Sequence, residues 1–392
     1  MSQYEVWLCT DRGRRLMPLN NLQELTAAKS LNKTVGFTAT LKRPSDIKTI
    51  QNYHKIENGI RRDWQVQIWR KDRGPSRLWQ AYFVLKWGWA AGDDGGDVFR
   101  IGGYDINHLL TRRVVAAYAE ETQSTMNDHA DDIMKAVVTD SMQDDADPTP
   151  DYGTRAWGDL TVAQDLGKAP TIDIAFAWDK LLTVSGRGAL PQIANASRAA
   201  GNELYFGIFP KSITGKAITW RFATFIDCFR DLTGSHGLTR AGGEGRQVVF
   251  DADAGELSNW SLEYDYSEAE NYIYAGGQGE ADARYVEQVY DETRYKVSYW
   301  GRTEGFYDVR NVSDDQVEAS ANARLIKRRP RIELTGQPVA KPGKVYGRHY
   351  EVGDKIIAKA KGHQFTAIVQ SAVVQLLPDG KTTESVRLQY RD

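Results

Sequence analysis

Apolar and polar residues alternate along the first part of the chain with a period of two, the signature of strands with one buried face. Tyr4–Cys9, Leu25–Ser30, Gly36–Leu41, Gln65–Lys71, Leu78–Trp89 and Asp97–Tyr104 all read as strands, most clearly in the run Trp64-Gln65-Val66-Gln67-Ile68-Trp69. The segments between them carry hairpin chemistry: Asp11-Arg12-Gly13, Asp72-Arg73-Gly74 and the longer Gly92-Asp93-Asp94-Gly95-Gly96. Several short strands punctuated in this way predict a closed or nearly closed antiparallel β-barrel over residues 1–112.

The period then changes. From Ser124, the apolar positions Met126, Ala130, Ile133, Met134, Val137 and Val138 recur at helical spacing. Asp128, Asp131 and Asp132 lie toward the start of this predicted helix, where the dipole favours negative charge. The acidic, proline-containing stretch Gln143–Pro150 ends it as an exposed loop. A second helix is predicted over Leu190–Ala200, with Pro191 in its first turn and Gly201 as its stop, and a strand over Glu203–Phe209 follows. A third fits Asp314–Arg328: Ser313 and Gln316 have capping-box spacing, Val317, Ala321 and Leu325 form one stripe, and Pro330 ends it. Strands return at Lys355–Lys359, Phe365–Leu377 and Glu384–Tyr390, the last two joined by the turn sequence Pro378-Asp379-Gly380-Lys381. Val386, Leu388 and Tyr390 alternate with Arg387, Gln389 and Arg391, which leaves the final strand one wet face.

The two β regions share an outline. Leu22–Leu41 has a strand, a short polar break and a second strand. Leu257–Ala275 repeats this as Trp260–Tyr266, Ser267-Glu268-Ala269-Glu270-Asn271 and Tyr272–Ala275. Gly353-Asp354-Lys355-Ile356-Ile357 and the hairpin after it then parallel Asp63–Lys71 and the long hairpin through Tyr104. The expected fold is mainly β with α+β insertions: two similar antiparallel β-barrels plus an α/β domain. Residues 1–112 form the first barrel. Residues 257–283 and 335–392 form the second, split by an insertion, and residues 113–256 and 284–334 form the α/β part.

Composition narrows the function. The chain has 392 residues, 41% of them hydrophobic and 26% charged, which suits two or three folded domains and excludes a disordered chain. A net charge of −2 excludes the broad basic footprint of a general nucleic-acid binder, although Lys327, Arg328, Arg329 and Arg331 cluster locally. The opening residues alternate and carry early charge, so they read as a strand and not as a signal peptide, which implies synthesis in a cytoplasm. The longest apolar run, Tyr82–Ala91, contains Lys86 and is too short for a membrane span. Cys9 and Cys228 suggest no disulfide scaffold or metal framework and read as ordinary buried thiols. The 11 Trp and 19 Tyr fit sheet faces and cores, with a sugar-binding platform as the sharper alternative.

No catalytic, cofactor or metal residue is assigned. Gly276-Gly277-Gln278-Gly279-Glu280 follows a strand but lacks the third glycine and the apolar helix of a nucleotide loop, and Glu280 would repel phosphate; it reads as a loop needing positive φ. Asp251-Ala252-Asp253-Ala254-Gly255-Glu256 resembles part of a calcium loop without its full ligand set, and Gly92–Asp97 is a similar acidic tip; both read as solvated turns. His54, His108, His129, His236, His349 and His363 show no zinc-helix spacing, and the adjacency Ser235-His236 does not make a triad. A carboxylate pair for glycoside hydrolysis is not singled out among the 52 acidic residues.

The opening Tyr4-Glu5-Val6-Trp7-Leu8, with Leu16, Leu22, Leu31-Asn32 and Gly36-Phe37-Thr38-Ala39-Thr40-Leu41, resembles the start of the siphophage Gp37-like tail proteins. The stretch Asn271–Glu280, Arg284 and Gly301–Arg310 resembles that family's most distinctive segment, and Tyr350-Glu351-Val352-Gly353-Asp354 its motif before the last strands. The family is similar in turn to the two-barrel, trimeric baseplate hub of contractile phages. The resemblance implies a structural tail-tip hub subunit, not an enzyme. It implies a homotrimer in the virion, assembled in the host cytoplasm, whose six barrels meet a six-fold tail tube around the DNA and tape-measure path. Implied partners are the tube or distal tail protein, other tip or fibre proteins and the tape-measure protein, with no specific nucleic-acid site and no membrane span. The loops Gly92–Gly96 and Gln143–Tyr152 depart from the family. A carbohydrate-binding tail module and a cell-wall-degrading tail enzyme are the alternatives.

Overall fold

Period-two alternation becomes strand pairing in the computed structural model, which describes residues 4–42, 60–71, 76–92, 96–116, 123–143, 155–215, 217–234, 237–238, 244–245, 247–310, 313–339, 341–377 and 381–390. The expected turn residues 72–74, 93–95 and 378–380, the loop 144–150, His54 and Ser235-His236 lie outside them. The first seven strands are β1 (Tyr4–Cys9), β2 (Arg15–Pro18), β3 (Leu22–Ser30), β4 (Gly36–Lys42), β5 (Gln65–Arg70), β6 (Arg77–Ala91) and β7 (Asp97–Asp105). They pair antiparallel in the order β2-β1-β5-β6-β7-β4-β3. Alternation is clean in β4, where Phe37, Ala39 and Leu41 are buried. β5 departs from it and is buried throughout, because Gln65 and Gln67 turn to the chain at the Asp11–Gly13 turn. Gln65 Nε2 donates to Asp11 O at 2.6 Å and Gln67 Nε2 to Gly13 O at 3.0 Å. β6 and β7 cross so closely that a Cβ on Gly103 would lie 1.8 Å from Phe83 O, so only glycine fits there.

The middle of the chain supplies β8 (Ser124–His129), α1 (Ala130–Met142), β9 (Leu160–Val162), β10 (Thr171–Phe176), α2 (Ala189–Ala199), β11 (Leu204–Ile213) and β12 (Ile218–Ile226). The helical pattern expected from Ser124 begins six residues later than expected, at Ala130, because Ser124–His129 pairs antiparallel with β10. β12 pairs antiparallel with β11 and parallel with β9. Ile133, Met134, Val137 and Val138 of α1, Leu190 and Ile193 of α2, and Phe206, Trp220 and Phe222 of the sheet share one core. Ala81 and Phe83 of β6 extend that core to the first sheet.

Short strands β13 (Arg230–Asp231), β14 (Gly237–Leu238), β15 (Glu244–Gly245) and β16 (Val249–Asp251) lead into β17 (Leu257–Asp265). Next come β18 (Tyr272–Gly276), β19 (Val286–Tyr290), α3 (Glu292–Val297), β20 (Glu304–Asp308) and α4 (Asp314–Lys327). The chain ends with β21 (Arg331–Pro338), β22 (Asp354–Ala360), β23 (His363–Leu376) and β24 (Thr382–Tyr390). One expected partnership is corrected. Tyr272–Ala275 does not return beside Trp260–Tyr266. It is the centre of a separate sheet, β19-β18-β20, and β21 is the strand that pairs with β17. The inserted unit therefore starts directly after β17 and ends at β21.

With that change the two β regions match strand for strand. The order β3-β4-β7-β6-β5 is repeated as β17-β21-β24-β23-β22, every adjacent pair antiparallel. The irregularities match as well. The long strand slips at Val84/Lys86 in one copy and at Val369/Ser371 in the other. The Asp63 N–H donates to Val84 O at 3.1 Å, and Gly353 to Val369 O at 2.9 Å, with φ of +68° and +99° at these donors. Lys42 donates to Asn21 O at 3.1 Å, and Val339 to Glu256 O at 3.0 Å. The outer strand differs: β1 runs antiparallel to β5, whereas β16 runs parallel to β22. β3 and β23 join the two halves into one 14-stranded sheet, and a single core runs from Tyr4 and Leu25 to Val374 and Leu388.

Asp105, at the end of β7, is fully buried and accepts hydrogen bonds from Thr34 Oγ1, Val35 N, Gln80 Nε2 and Asn107 Nδ2. Burial outweighs these bonds and pushes its carboxyl up to about 7. The unfolded chain ionises this group first, so its contribution is full below its ordinary value near 4 and is lost as pH rises through about 7. Burial and Arg112 push His108 down to about 4, which gives the opposite slope below its ordinary value near 6.5. Asp105→Asn should therefore remove the falling limb between about pH 4 and 7, a difference of a few kcal/mol in urea unfolding free energy relative to the parent. Equal pH slopes in the two proteins would contradict this assignment.

Candidate assembly surfaces

The segments with the look of chemistry are occupied structurally. In Gly276–Glu280, the Arg284 side chain donates to Gly276 O at 3.0 Å and to Gly277 O at 3.3 Å, and reaches Asp308 Oδ1 at 2.6 Å. A Cβ on Gly277 would lie 2.8 Å from Val317 of α4, and Gly279 has φ of +92° as expected of a turn glycine. The glycines thus admit an arginine and a helix, and the short 3-10 turn Ala281–Ala283 stands where a nucleotide-binding helix would start. In Asp251–Glu256, Asp251 Oδ1 accepts from Ala254 N at 3.0 Å, Asp253 from Gly362 N at 3.2 Å and Glu256 from Asp251 N at 2.9 Å. Lys341 and Lys344 pair with Glu256, and these cations hold its carboxyl below the usual range. Among the described residues no group of three or more metal-ligating side chains converges.

The acidic start of α1 does more than complement a dipole. Asp131, 2% exposed, accepts from Lys168 N at 3.2 Å and Ala169 N at 2.9 Å. Asp132 accepts from Leu166 N at 3.1 Å and Gly167 N at 2.9 Å, and buried Lys135 bridges the two carboxylates at 3.0 and 2.9 Å. This clamp fixes the 166–169 loop that leads into β10. Asp128 lies on β8 and caps nothing in the helix. The capping box at α4 is not formed either: Ser313 makes no side-chain cap, and the Gln316 amide reaches across to Asp173 of β10. His129 Nδ1 donates to Ala169 O at 2.6 Å, His349 Nδ1 accepts from Val345 N at 2.9 Å and His363 is exposed. Cys9 is buried and Cys228 only half-buried; burial pushes their thiols up to about 12 and about 11, which favours the protonated form.

A buried polar cluster ties the N-terminal strands to the last one. Arg70 of β5, 3% exposed, donates to Tyr4 Oη at 3.1 Å and to Glu384 Oε1 of β24 at 3.0 Å. Tyr4 Oη donates to the same carboxylate at 2.5 Å. Trp79 Nε1 donates to Tyr346 Oη at 3.2 Å beside them, and the guanidinium lies over the Tyr4 and Tyr346 rings. Sequence spacing does not reveal this cluster, because Tyr346 and Glu384 lie hundreds of positions from Tyr4, Arg70 and Trp79.

Besides Trp178, Tyr264 and Tyr266, exposed aromatics gather in two places on the outer surface. The sheet β19-β18-β20 buries Ile273, Ala275 and Val289 against Val317, Ala321 and Leu325 of α4. Its other face carries Tyr272, Tyr274, Tyr290 and Phe306. Tyr272 stacks on the Tyr290 ring (5.5 Å, 10°) and meets the Arg302 guanidinium at 4.2 Å. Tyr299 and Trp300 beside it are 93% and 84% exposed. The second place is the distal end of β6, where Trp87 and Trp89 are 41% and 47% exposed. Counting aromatics did not separate these surfaces from the core, since Trp220, Tyr82 and Tyr205 are fully buried.

A family model described as Siphovirus ReqiPepy6 Gp37-like protein matches residues 68–387. No curated protein matches the sequence. Among solved structures, a tail protein from Neisseria meningitidis MC58 is similar with a TM-score of 0.55 and 11% identity, over 98% of this chain and 96% of that one. A prophage MuSo2 43 kDa tail protein from Shewanella oneidensis is similar with a TM-score of 0.55 and 12% identity, over 98% of each chain. At such identities the likeness is one of fold.

Removing one partner of a buried charge pair leaves the other without compensation, which costs about 3–5 kcal/mol. Arg70→Ala should therefore lower the unfolding free energy by that order, and Tyr4→Phe by less. Denaturant titration with a loss under about 1 kcal/mol for Arg70→Ala would show that the cluster is peripheral to stability.

Proposed function

The chain belongs to the Siphovirus ReqiPepy6 Gp37-like family, and we propose that it is a structural hub subunit of a phage tail tip. The observation that carries this reading is the strand-for-strand duplication within one chain. A subunit holding two like β units needs only three copies to present six, which matches a six-fold tube without breaking closed symmetry. The units are divided as β1 to β7 for the first barrel and β16, β17 and β21 to β24 for the second. The segment 113–226 and the inserted unit between β17 and β21 form the α/β parts. The ring surrounds the path of DNA and tape-measure protein, and the inserted units face other tip or fibre proteins. The chain acts in the virion, after assembly in the host cytoplasm.

The reading as a non-enzymatic protein is supported by the occupied loops, in which glycines receive Arg284 and carboxylates hold backbone amides or lysines. A sugar platform requires open ring faces. Tyr272 packs against Tyr290 and Arg302, so that alternative rests on the more open rings, such as Tyr299 and Trp300. Mass measurement of the purified chain, together with a cryo-EM map of the tail, should give three copies around the axis. A tail map with this chain in any other symmetry overturns the reading, as does turnover of peptidoglycan by the purified protein.

A further inference from the structure

The internal duplication leaves one junction made and its equivalent unmade. Inside the chain, β23 pairs with β22 along His363–Ile368, and past its slip the same side takes β3: Ser371↔Ser30, Ala372↔Lys29, Val373↔Ala28, Val374↔Ala27, Gln375↔Thr26 and Leu376↔Leu25. The Leu31 N–H closes this junction on Gln370 O, the residue at the slip, at 3.1 Å. In the first half, β6 is the counterpart of β23. It pairs with β5 along Arg77–Phe83, and past its slip at Leu85 no described strand continues on that side. The counterpart of β3 is β17, whose only described strand partner is β21. One chain therefore carries both members of a second junction on two separate edges.

We propose that β17 of one copy of this chain pairs antiparallel with Lys86–Ala91 of β6 in a second copy, repeating between subunits the β3–β23 junction made within each. This inference rests on the ring-forming hub reading and names the edges that close the ring. Superposing the slips and the shared hydrogen bonds fixes the register. Ala27 corresponds to Leu262 through their equivalent partners Phe37 and Leu334, and Ser371 corresponds to Lys86. The new pairs are then Lys86↔Asp265, Trp87↔Tyr264, Gly88↔Glu263, Trp89↔Leu262, Ala90↔Ser261 and Ala91↔Trp260, with Tyr266 N–H donating to Leu85 O.

Residues directly opposite in an antiparallel pair share a face, so this register sorts both faces by chemistry. One face brings Trp87, Trp89 and Ala91 against Tyr264, Leu262 and Trp260. Tyr264 and Trp87 are each more than 40% exposed in the single chain, and Trp89 already leans on Phe99 of the core at 5.1 Å. The other face brings Lys86 opposite Asp265 and beside Glu263. Two edges rich in exposed aromatics and of opposite charge are a liability in an isolated subunit, and covering them with each other removes it. The contact is heterologous, using different surfaces on the two copies, so it generates a ring when the rotation closes.

The test uses the full chain with Lys86→Cys and Asp265→Cys together, oxidised and run without reducing agent, with the copy number read by native mass spectrometry. Expected are intermolecular disulfides up to the size of the ring, and none with Lys86→Cys and Tyr264→Cys, which point to opposite faces. Lys86→Glu should weaken assembly at least tenfold, with Lys86→Glu and Asp265→Lys together restoring it. A three-copy assembly without the Lys86–Asp265 crosslink overturns this junction and leaves the ring reading standing. A crosslinked ring of another copy number keeps the junction and overturns the three-fold reading. A monomer at every soluble concentration without crosslinks overturns both.

Discussion

The antiparallel pairing of β3 with the second half of β23 is the constraint on which the rest of the chain depends. It converts two five-strand units into one sheet and one core. Leu25 and Ala27 on one side and Ala372 and Val374 on the other are buried together. A slip of one residue in β3 would turn Leu25 and Ala27 outward and put Thr26 and Ala28 in their place, so the register is strongly specified. The length of β23 follows from this arrangement. A strand of 14 residues is needed because its first half serves β22, its second half serves β3, and its other edge serves β24 from Ala367 to Leu376. The slip at Val369/Ser371 lies where the two partners change over. A bulge there adds local twist and lets one strand follow two sheet directions.

Alternation made the strands legible, since a half-buried strand writes its own burial into every second residue. The order and length of the repeat were legible for the same reason. What alternation cannot give is the partner. Tyr272–Ala275 has the composition and length of a return strand and lies close in sequence to Trp260–Tyr266, yet β21 takes that place from beyond the entire inserted unit. The inserted sheet needs β18 as its centre to cover the apolar stripe of α4, which would otherwise be exposed. Likewise Met126 and Ala130 have helical spacing, but Ser124–His129 supplies the only described strand partner of β10. In both cases long-range pairing overrides a correct local pattern.

Polar residues were the least legible, because sequence spacing carries no information about contacts across hundreds of positions. Gln316 sits where a capping box requires it but finds Asp173, and the Asp131–Asp132 pair, suited to a helix dipole, also holds four backbone amides. Arg70, Asp105 and Lys135 are buried far from any motif. Arg70 joins β5 to β24 and Asp105 joins the end of β7 to the turn before β4, while Lys135 pairs within α1 and backs the carboxylates that hold the loop before β10. Buried polar groups of this kind add little net stability over apolar packing, but they discriminate against alternative arrangements of the loops they hold.

The internal sheet junction and its proposed counterpart between copies differ in composition in the direction that physics requires. At the positions matching Trp87, Trp89 and Tyr264 the internal one has Ala372, Val374 and Lys29, none of them aromatic. Tethering makes its closure intramolecular, so effective concentration supplies what the side chains do not. An equivalent contact between separate copies has to overcome the loss of translational and rotational freedom, and must reject wrong partners as well. Large rigid aromatics at the centre and opposite charges at the edge are the side chains that meet those demands. Trp87, Trp89, Tyr264, Lys86 and Asp265 occupy the matching positions in the unmade junction. Duplication within a single chain is what allows this divergence: a true six-copy ring would have to use one set of residues for every junction, whereas a two-unit subunit can keep one junction permanent and leave the other to assemble.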